Sequence, residues 1–313
     1  MDSLVSIIMP AYNAACYIAD SIDSVLAQTH LDWELVIVDD GSIDATRSIV
    51  EEYCRHDVRI KYIYQTNARQ GRARNNGIAN SSGSYIAFLD SDDLWFPSKL
   101  QNSLQAIEAL GVDMVFSSTY IFHDELLIND STRSWSIMPG CYAGDIGLQM
   151  LLQYNCIPIL TVLATREAIE RAGGFTELPP IQNAEDYHLW LKMLLTGSVL
   201  ACIPNTLSAY REHEASVSGL NGERTNLNQA IEAIADLKHT YLLKHSLLKN
   251  GLTFNIKRHL DKLYVQDALC LDIIKKYLLL LNYNKYNFIF VLLELVNFRK
   301  VSFKALYFIL NYF

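Results

Sequence analysis

Apolar residues follow two rhythms along the first 120 positions. Short, nearly continuous runs at Leu4–Met9, Glu34–Val38, Arg59–Tyr64 and Tyr85–Leu89 have the length of strands. Between them apolar residues recur at helical spacing. Ala14–Ala27 carries Ile18, Ile22, Val25 and Leu26 on one face, a second helix capped by Asp44 is expected through Tyr53, and a third over Arg72–Asn80. Pro10 is expected to stop the first strand. Strands that are apolar throughout, alternating with helices, predict an α/β fold whose mostly parallel sheet is covered on both faces. Such sheets bind ligands at the carboxyl ends of their strands.

Residues 111–215 are mixed. Val112–Ser117 and Pro158–Ala164 read as strands, while Leu148–Gln153 and Arg166–Arg171 read as helical. An amphipathic helix opens at Asn183-Ala184-Glu185-Asp186. From about Asn226 the pattern is entirely helical, and the polar stretch Ser216–Asn228 is the expected boundary.

The chain has 313 residues, half of them hydrophobic and 19% charged, which excludes disordered, collagenous and coiled-coil classes. The formal net charge of −8 argues against a nucleic-acid partner, because phosphate contacts need an excess of Lys and Arg. The charge is uneven. Of 26 Lys/Arg and 34 Asp/Glu, nine and four lie in residues 251–313, so that segment nets +5 and the remainder −13. The six cysteines include no CxxC pair, which disfavours a structural zinc site. No cleavable signal is expected, and the uncharged runs of the tail fall well short of the roughly 20 residues a spanning helix needs. A reduced, cytoplasmic setting follows.

The chemistry is concentrated where strands end. The first ends in Pro10-Ala11-Tyr12-Asn13, the second in Asp39-Asp40-Gly41-Ser42 and the fourth in Asp90-Ser91-Asp92-Asp93. A lone Asp-Gly-Ser is usually a turn or a cap. Two acidic strand ends on one edge bring together five carboxylates, like charges that a cation would neutralise, and oxygen ligands suit Mg²⁺ or Mn²⁺ accompanied by a nucleotide diphosphate.

With Val5–Asn13, Val38–Asp44, Ala73-Arg74-Asn75-Asn76-Gly77, Phe88–Asp93 and Glu185-Asp186 in this order, residues 3–215 resemble the inverting family 2 glycosyltransferases of GT-A fold. The resemblance implies a catalytic domain over 1–220, with 1–120 binding the nucleotide sugar and 121–220 the acceptor, and a helical region over 221–313. It implies donor-binding roles for Pro10, Tyr12 (packing on the base), Asp39, Asp40 (accepting from uracil N3–H), Arg74, Asp90 and Ser91. Asp92 would ligate the metal, and His213, in Arg211-Glu212-His213, would reach the metal or the diphosphate. Asp186 would be the catalytic base, with Glu185 orienting the site or the acceptor.

The implied activity is metal-dependent transfer of one sugar from a nucleotide-diphosphate sugar, with a UDP-sugar the expected donor and Mn²⁺ or Mg²⁺ the cofactor. The implied acceptor is a saccharide, expected to be lipid-linked, in bacterial surface polysaccharide synthesis (O-antigen, capsule or exopolysaccharide) at the inner membrane face. The Gln-x-x-Arg-Trp motif of processive members is missing. A sugar-phosphate nucleotidyltransferase remains an alternative, although Ala11–Ala15 stands where its Gly-rich basic loop belongs, and so does an inactive membrane-associated scaffold. The basic, aromatic tail at 275–313 fits peripheral membrane contact. It equally fits a packed helical subdomain or a homodimer contact.

Overall fold

The computed structural model describes residues 3–123, 132–213, 222–265 and positions 273, 276, 277 and 280. Its elements run β1 (Val5–Ala11), α1 (Ile18–Leu26), β2 (Trp33–Asp39), α2 (Thr46–His56), β3 (Ile60–Tyr64), α3 (Arg69–Ala79), β4 (Tyr85–Phe88), β5 (Leu94–Trp95) and α4 (Lys99–Leu110). They continue through β6 (Met114–Phe122), β7 (Ser134–Trp135), β8 (Gly140–Tyr142), α5 (Gly144–Gln153), β9 (Leu163–Thr165), α6 (Arg166–Arg171), α7 (Glu185–Leu195) and β10 (Leu200–Arg211). Two long helices follow, α8 (Gly222–Thr240) and α9 (His245–Val265). The chain forms two compact units, residues 1–233 and 234–313.

In the first unit the strands order as β3-β2-β1-β4-β9-β6-β10-β5 in one sheet. β3, β2, β1 and β4 are parallel, as are β6 and β10, while β9 runs antiparallel between β4 and β6. The order reverses at β1 and β4, which opens a crevice at their carboxyl ends. β1 and β2 are buried along their whole length, as continuous apolar runs require.

Pro10 does not stop β1 but lies inside it, paired with Val38. The N–H of Val5 points to Asp32 on the β2 side, so alternation turns the nitrogen of Pro10 towards β4. β4 pairs only with Val5–Ile8, and no ladder bond is lost there. The expected strand at Pro158–Ala164 is instead a 3₁₀ turn at Ile159–Thr161 leading into β9. Trp95 Nε1 donates to the Leu160 carbonyl at 2.7 Å and the buried Lys99 Nζ to that of Val162 at 3.0 Å, which pins the turn.

Helix α3 sits closely on the sheet. A Cβ on Gly77 would meet Ile8 Cγ2 at 2.6 Å, so only glycine permits this seat. Gly71, Arg74, Gly77 and Ile78 share the buried face at helical spacing. The sheet's other end is braced by the buried Glu34. It accepts from Ser6 Oγ (2.7 Å), Ser82 N (2.5 Å) and Lys61 Nζ (2.6 Å), tying β2 to β1, β3 and the turn before β4. Burial raises this carboxyl, yet Lys61, Ser82 and Ser6 together bring it down to about 2. Its contribution is therefore complete above about pH 4.5 and lost as pH falls towards 2. Glu34→Gln should lower stability at pH 7 by about 1–3 kcal/mol and flatten that acid limb, as thermal melts from pH 2 to 7 would record.

In the second unit Leu248, Leu252, Ile256 and Leu260 form the buried stripe of α9. His259 Nδ1 is hydrogen-bonded to Tyr277 Oη, and Lys238 Nζ donates to the Leu280 carbonyl at 2.5 Å. Most of the tail read as basic and aromatic, including Lys275, Lys285, Arg299, Lys300 and Lys304, lies outside the described residues. Among the described residues no helix is long and apolar enough to cross a membrane.

Candidate active site

The turns after β1 and β2 are tied into one support. Asn13 N donates to Ser42 Oγ (2.9 Å), Ile43 N to Asn13 Oδ1 (2.9 Å), Ala14 N to Thr46 Oγ1 (2.8 Å) and Ala15 N to Asp44 Oδ2 (3.0 Å). Asp44 also accepts from Thr46 N at 3.0 Å, so the expected capping acid serves the start of α2 and the neighbouring turn together. Held this way, Asn13 takes φ 50°, a conformation Asn tolerates, and Tyr12 beside it is 54% exposed with its ring open to a ligand.

The paired acids after β2 behave differently from the reading that both face a donor. Asp39 is fully buried and accepts from Ser42 N (2.8 Å) and Tyr62 Oη (2.7 Å). Asp40 accepts from Gln65 Nε2 (2.7 Å), Ala68 N (2.8 Å) and Arg69 N (2.8 Å), and so caps α3. A carboxylate has about four lone-pair directions, which leaves Asp40 one for a ligand N–H. Arg69 takes φ 75° at this cap, held there by its bond to Asp40. Pro10 lies in β1 two residues before Tyr12, and Ser91, between Asp90 and Asp92 in sequence, is buried.

At the end of β4 the acids separate. Asp90 Oδ1 accepts from Arg74 Nη2 at 2.7 Å. Asp92 Oδ2 lies 2.9 Å from His213 Nε2. Burial, then the charge of Asp90, push the Asp92 carboxyl up, while His213 pulls it down. Asp93 is buried and takes the Arg211 backbone N–H at 2.9 Å.

Arg74 joins this group to the start of α7. Its guanidinium is 2% exposed and also donates to Glu185 Oε1 at 2.5 Å, across 111 residues of sequence. Burial pushes Glu185 up to about 7 against the pull of Arg74. Asp186 is only half-buried. It accepts from Tyr187 N at 2.6 Å and from the Asn155 side chain, and burial raises its carboxyl despite Tyr187 and Arg74. Two carboxylates, one closed off and paired and one partly open at a helix N-terminus, differ in what they can do. Of the two, Asp186 is the more exposed.

A family profile described as Glycosyl transferase family 2 matches residues 6–156. The putative teichuronic acid biosynthesis glycosyltransferase TuaG of Bacillus subtilis is 34% identical over 69% of this chain and 81% of its own length. The Escherichia coli enzyme UDP-Glc:alpha-D-GlcNAc-diphosphoundecaprenol beta-1,3-glucosyltransferase WfgD is 33% identical over 82% of this chain and 96% of its own. The chain belongs to glycosyl transferase family 2. It is an enzyme of the glycosyltransferase class, and its fold is GT-A. The structure of S. aureus TarS 1-349 with UDP-GlcNAc superimposes with a TM-score of 0.68 at 18% identity, covering 88% of this chain and 81% of that one. The mannosyltransferase PcManGT of Pyrobaculum calidifontis, with GDP-Man and Mn²⁺, gives 0.55 at 18% identity over 90% and 81%.

Within this transferase, Tyr12, Asp40, Asp90, Asp92, His213, Glu185 and Asp186 all belong to the elements around the β1–β4 crevice, and the buried Asp39 ties the end of β2 to Ser42 and to Tyr62 of β3. Sequence reasoning passed over three residues. Arg211 stood in the quoted Arg211-Glu212-His213 segment, yet only its histidine was singled out. Its Nε donates to the Asp92 carbonyl at 2.9 Å. Asn155 and Tyr17 carry no motif, and only the fold brings them to Asp186 and His213.

Proposed function

We propose that this chain moves one sugar from a UDP-sugar, with inversion and with a divalent cation, to a hydroxyl of a lipid-linked saccharide. The observation that carries the reading is the buried guanidinium of Arg74. It joins Asp90, beside the cation ligands, to Glu185, beside the base, so donor and acceptor chemistry meet across one side chain. Residues 1–120 serve the donor and 121–220 the acceptor, and the described residues beyond them are mainly helical, in α8 and α9.

The residues present fit a cation. Among the described residues no three His, Cys, Asp or Glu side chains gather, so the protein offers two donors, Asp92 and His213. Their Oδ2 and Nε2 lie 2.9 Å apart as hydrogen-bond partners, and both would turn to a cation that enters between them. Diphosphate oxygens would complete the set, and an imidazole nitrogen favours Mn²⁺ over Mg²⁺. Bound there, the cation would neutralise charge growing on the departing diphosphate.

This chain's own groups do the rest. Tyr12 packs the base, and Asp40 accepts from the uracil imide. Asp186 takes the proton of the acceptor hydroxyl as its oxygen bonds to the anomeric carbon. The bond from that carbon to the diphosphate breaks, and UDP leaves with the electron pair. One displacement inverts the configuration.

The relatives support cell-surface polysaccharide as the setting, since TuaG is named for teichuronic acid and WfgD for a diphosphoundecaprenol acceptor. With such an acceptor the reaction would run at the inner face of the cell membrane. Release of UDP from a panel of UDP-sugars with Mn²⁺ tests the reading. Asp92→Ala should lower turnover by about 10²-fold or more. Near wild-type turnover in both Asp92→Ala and Asp186→Asn would refute the assignment. Donor binding without turnover on any donor would favour the inactive scaffold.

A further inference from the structure

Four side chains close a ring beside the acidic strand ends. Asp92 Oδ2 meets His213 Nε2 at 2.9 Å. The imidazole of His213 packs on the ring of Tyr17, with centroids 4.8 Å apart and planes at 35°. The guanidinium of Arg211 lies 4.8 Å from the same Tyr17 ring and returns through Nε to the Asp92 carbonyl at 2.9 Å. Arg211 is itself held by Asp20 Oδ2 at 2.9 Å and by the ring of Phe122 at 4.6 Å.

Tyr17 is placed independently of this ring. Its backbone N–H donates to the Ala14 carbonyl at 3.0 Å, and Ala14 N is bound to Thr46 Oγ1. The turn therefore fixes the backbone from which the aromatic ring projects. His213 stands two residues beyond the end of β10, next to Glu212, whose N–H donates to the Phe122 carbonyl at 2.8 Å. Its imidazole packs on the Tyr17 ring and meets Asp92, and both contacts bear on the plane it takes.

We infer that Tyr17 is a positioning residue of the cation site: its ring, braced by Arg211, fixes the imidazole of His213 so that Nε2 and Asp92 Oδ2 face one position. Groups that orient a metal-bound histidine from outside commonly change metal affinity by about 10–100-fold when lost. Here the orienting group is an aromatic face, whose effect is to narrow the rotamers of the ligand. The inference rests on the proposed cation role of Asp92 and His213.

Mn²⁺ titrated into the full chain with and without UDP, followed by electron paramagnetic resonance, tests it. Tyr17→Leu should weaken Mn²⁺ binding about tenfold or more, and Tyr17→Phe, which keeps the ring, should stay within about twofold. UDP affinity without metal should not move in either. The wild-type Mn²⁺ spectrum should carry nitrogen coupling from the imidazole, lost in His213→Ala and weakened in Tyr17→Leu. Tyr17→Met replaces the leucine variant if thermal melts show that variant unfolded. Wild-type Mn²⁺ affinity in the ringless variants, with loss in Asp92→Ala and His213→Ala, overturns the role of Tyr17 alone. Wild-type affinity in Asp92→Ala and His213→Ala overturns the cation site and the inference together.

Discussion

Asp186→Asn should lower kcat by about 10²–10⁴-fold while leaving UDP affinity within about twofold. The amide keeps the shape of the side chain and its bond from Tyr187 N, but it cannot take a proton. Burial raises the Asp186 carboxyl towards working pH, which is where a general base is effective. The wild-type rate should fall as pH drops through that raised value, because protonation removes the acceptor of the proton. The asparagine variant should lose this limb. The N-terminus of α7 favours the anion, so the group is kept ionisable in a partly closed site. Turnover in the variant within tenfold of wild type would move the base elsewhere.

Replacing Arg74 by Met should destabilise the domain by about 1–3 kcal/mol, the usual cost of leaving buried hydrogen-bonding groups without their partner. Glu185 is 3% exposed, and with the guanidinium gone its buried carboxyl loses the hydrogen-bond donor to Oε1 and takes up a proton at neutral pH. The double variant Arg74→Met with Glu185→Gln should therefore be more stable than the sum of the single changes, as urea unfolding in a double-mutant cycle would show. Kinetics carry a second signature. The charge of Arg74 pulls both Glu185 and Asp186 down against burial. Removing it raises both, so the acid limb of the pH–rate profile should shift to higher pH in Arg74→Met. A limb that stays in place would mean that Arg74 does not tune the base.

Much of this was legible because local and global signals agree. The runs at β1, β2 and β4 are apolar without alternation, and only a sheet covered on both faces accommodates them. Their acidic ends were readable for the same reason, since the strand fixes which residue comes first past the edge. β10 went unread because Pro204 and Asn205 interrupt its apolar pattern. Its pairing with β6 absorbs the interruption as register shifts after Ile203 and Thr206. The strand expected at Pro158–Ala164 failed because Trp95 and Lys99 capture the Leu160 and Val162 carbonyls. The jobs of Asp39 and Asp40 were also hidden. Both look like ligand acids in sequence, yet most of their hydrogen-bonding capacity goes to Tyr62, Ser42 and the start of α3. No spacing rule announces that Arg74 meets Glu185 across 111 residues.

The hydrogen bonds joining residues 13–15 to 42–46 bear on engineering. Anyone exchanging the Tyr12 turn for that of a relative, to alter base preference, would break four bonds unless Ser42, Ile43, Asp44 and Thr46 moved with it. The two turns are one transplantable cassette, though thirty residues separate them along the chain. A graft carrying both halves should keep the host's melting temperature, and a graft of the first half alone should lower it.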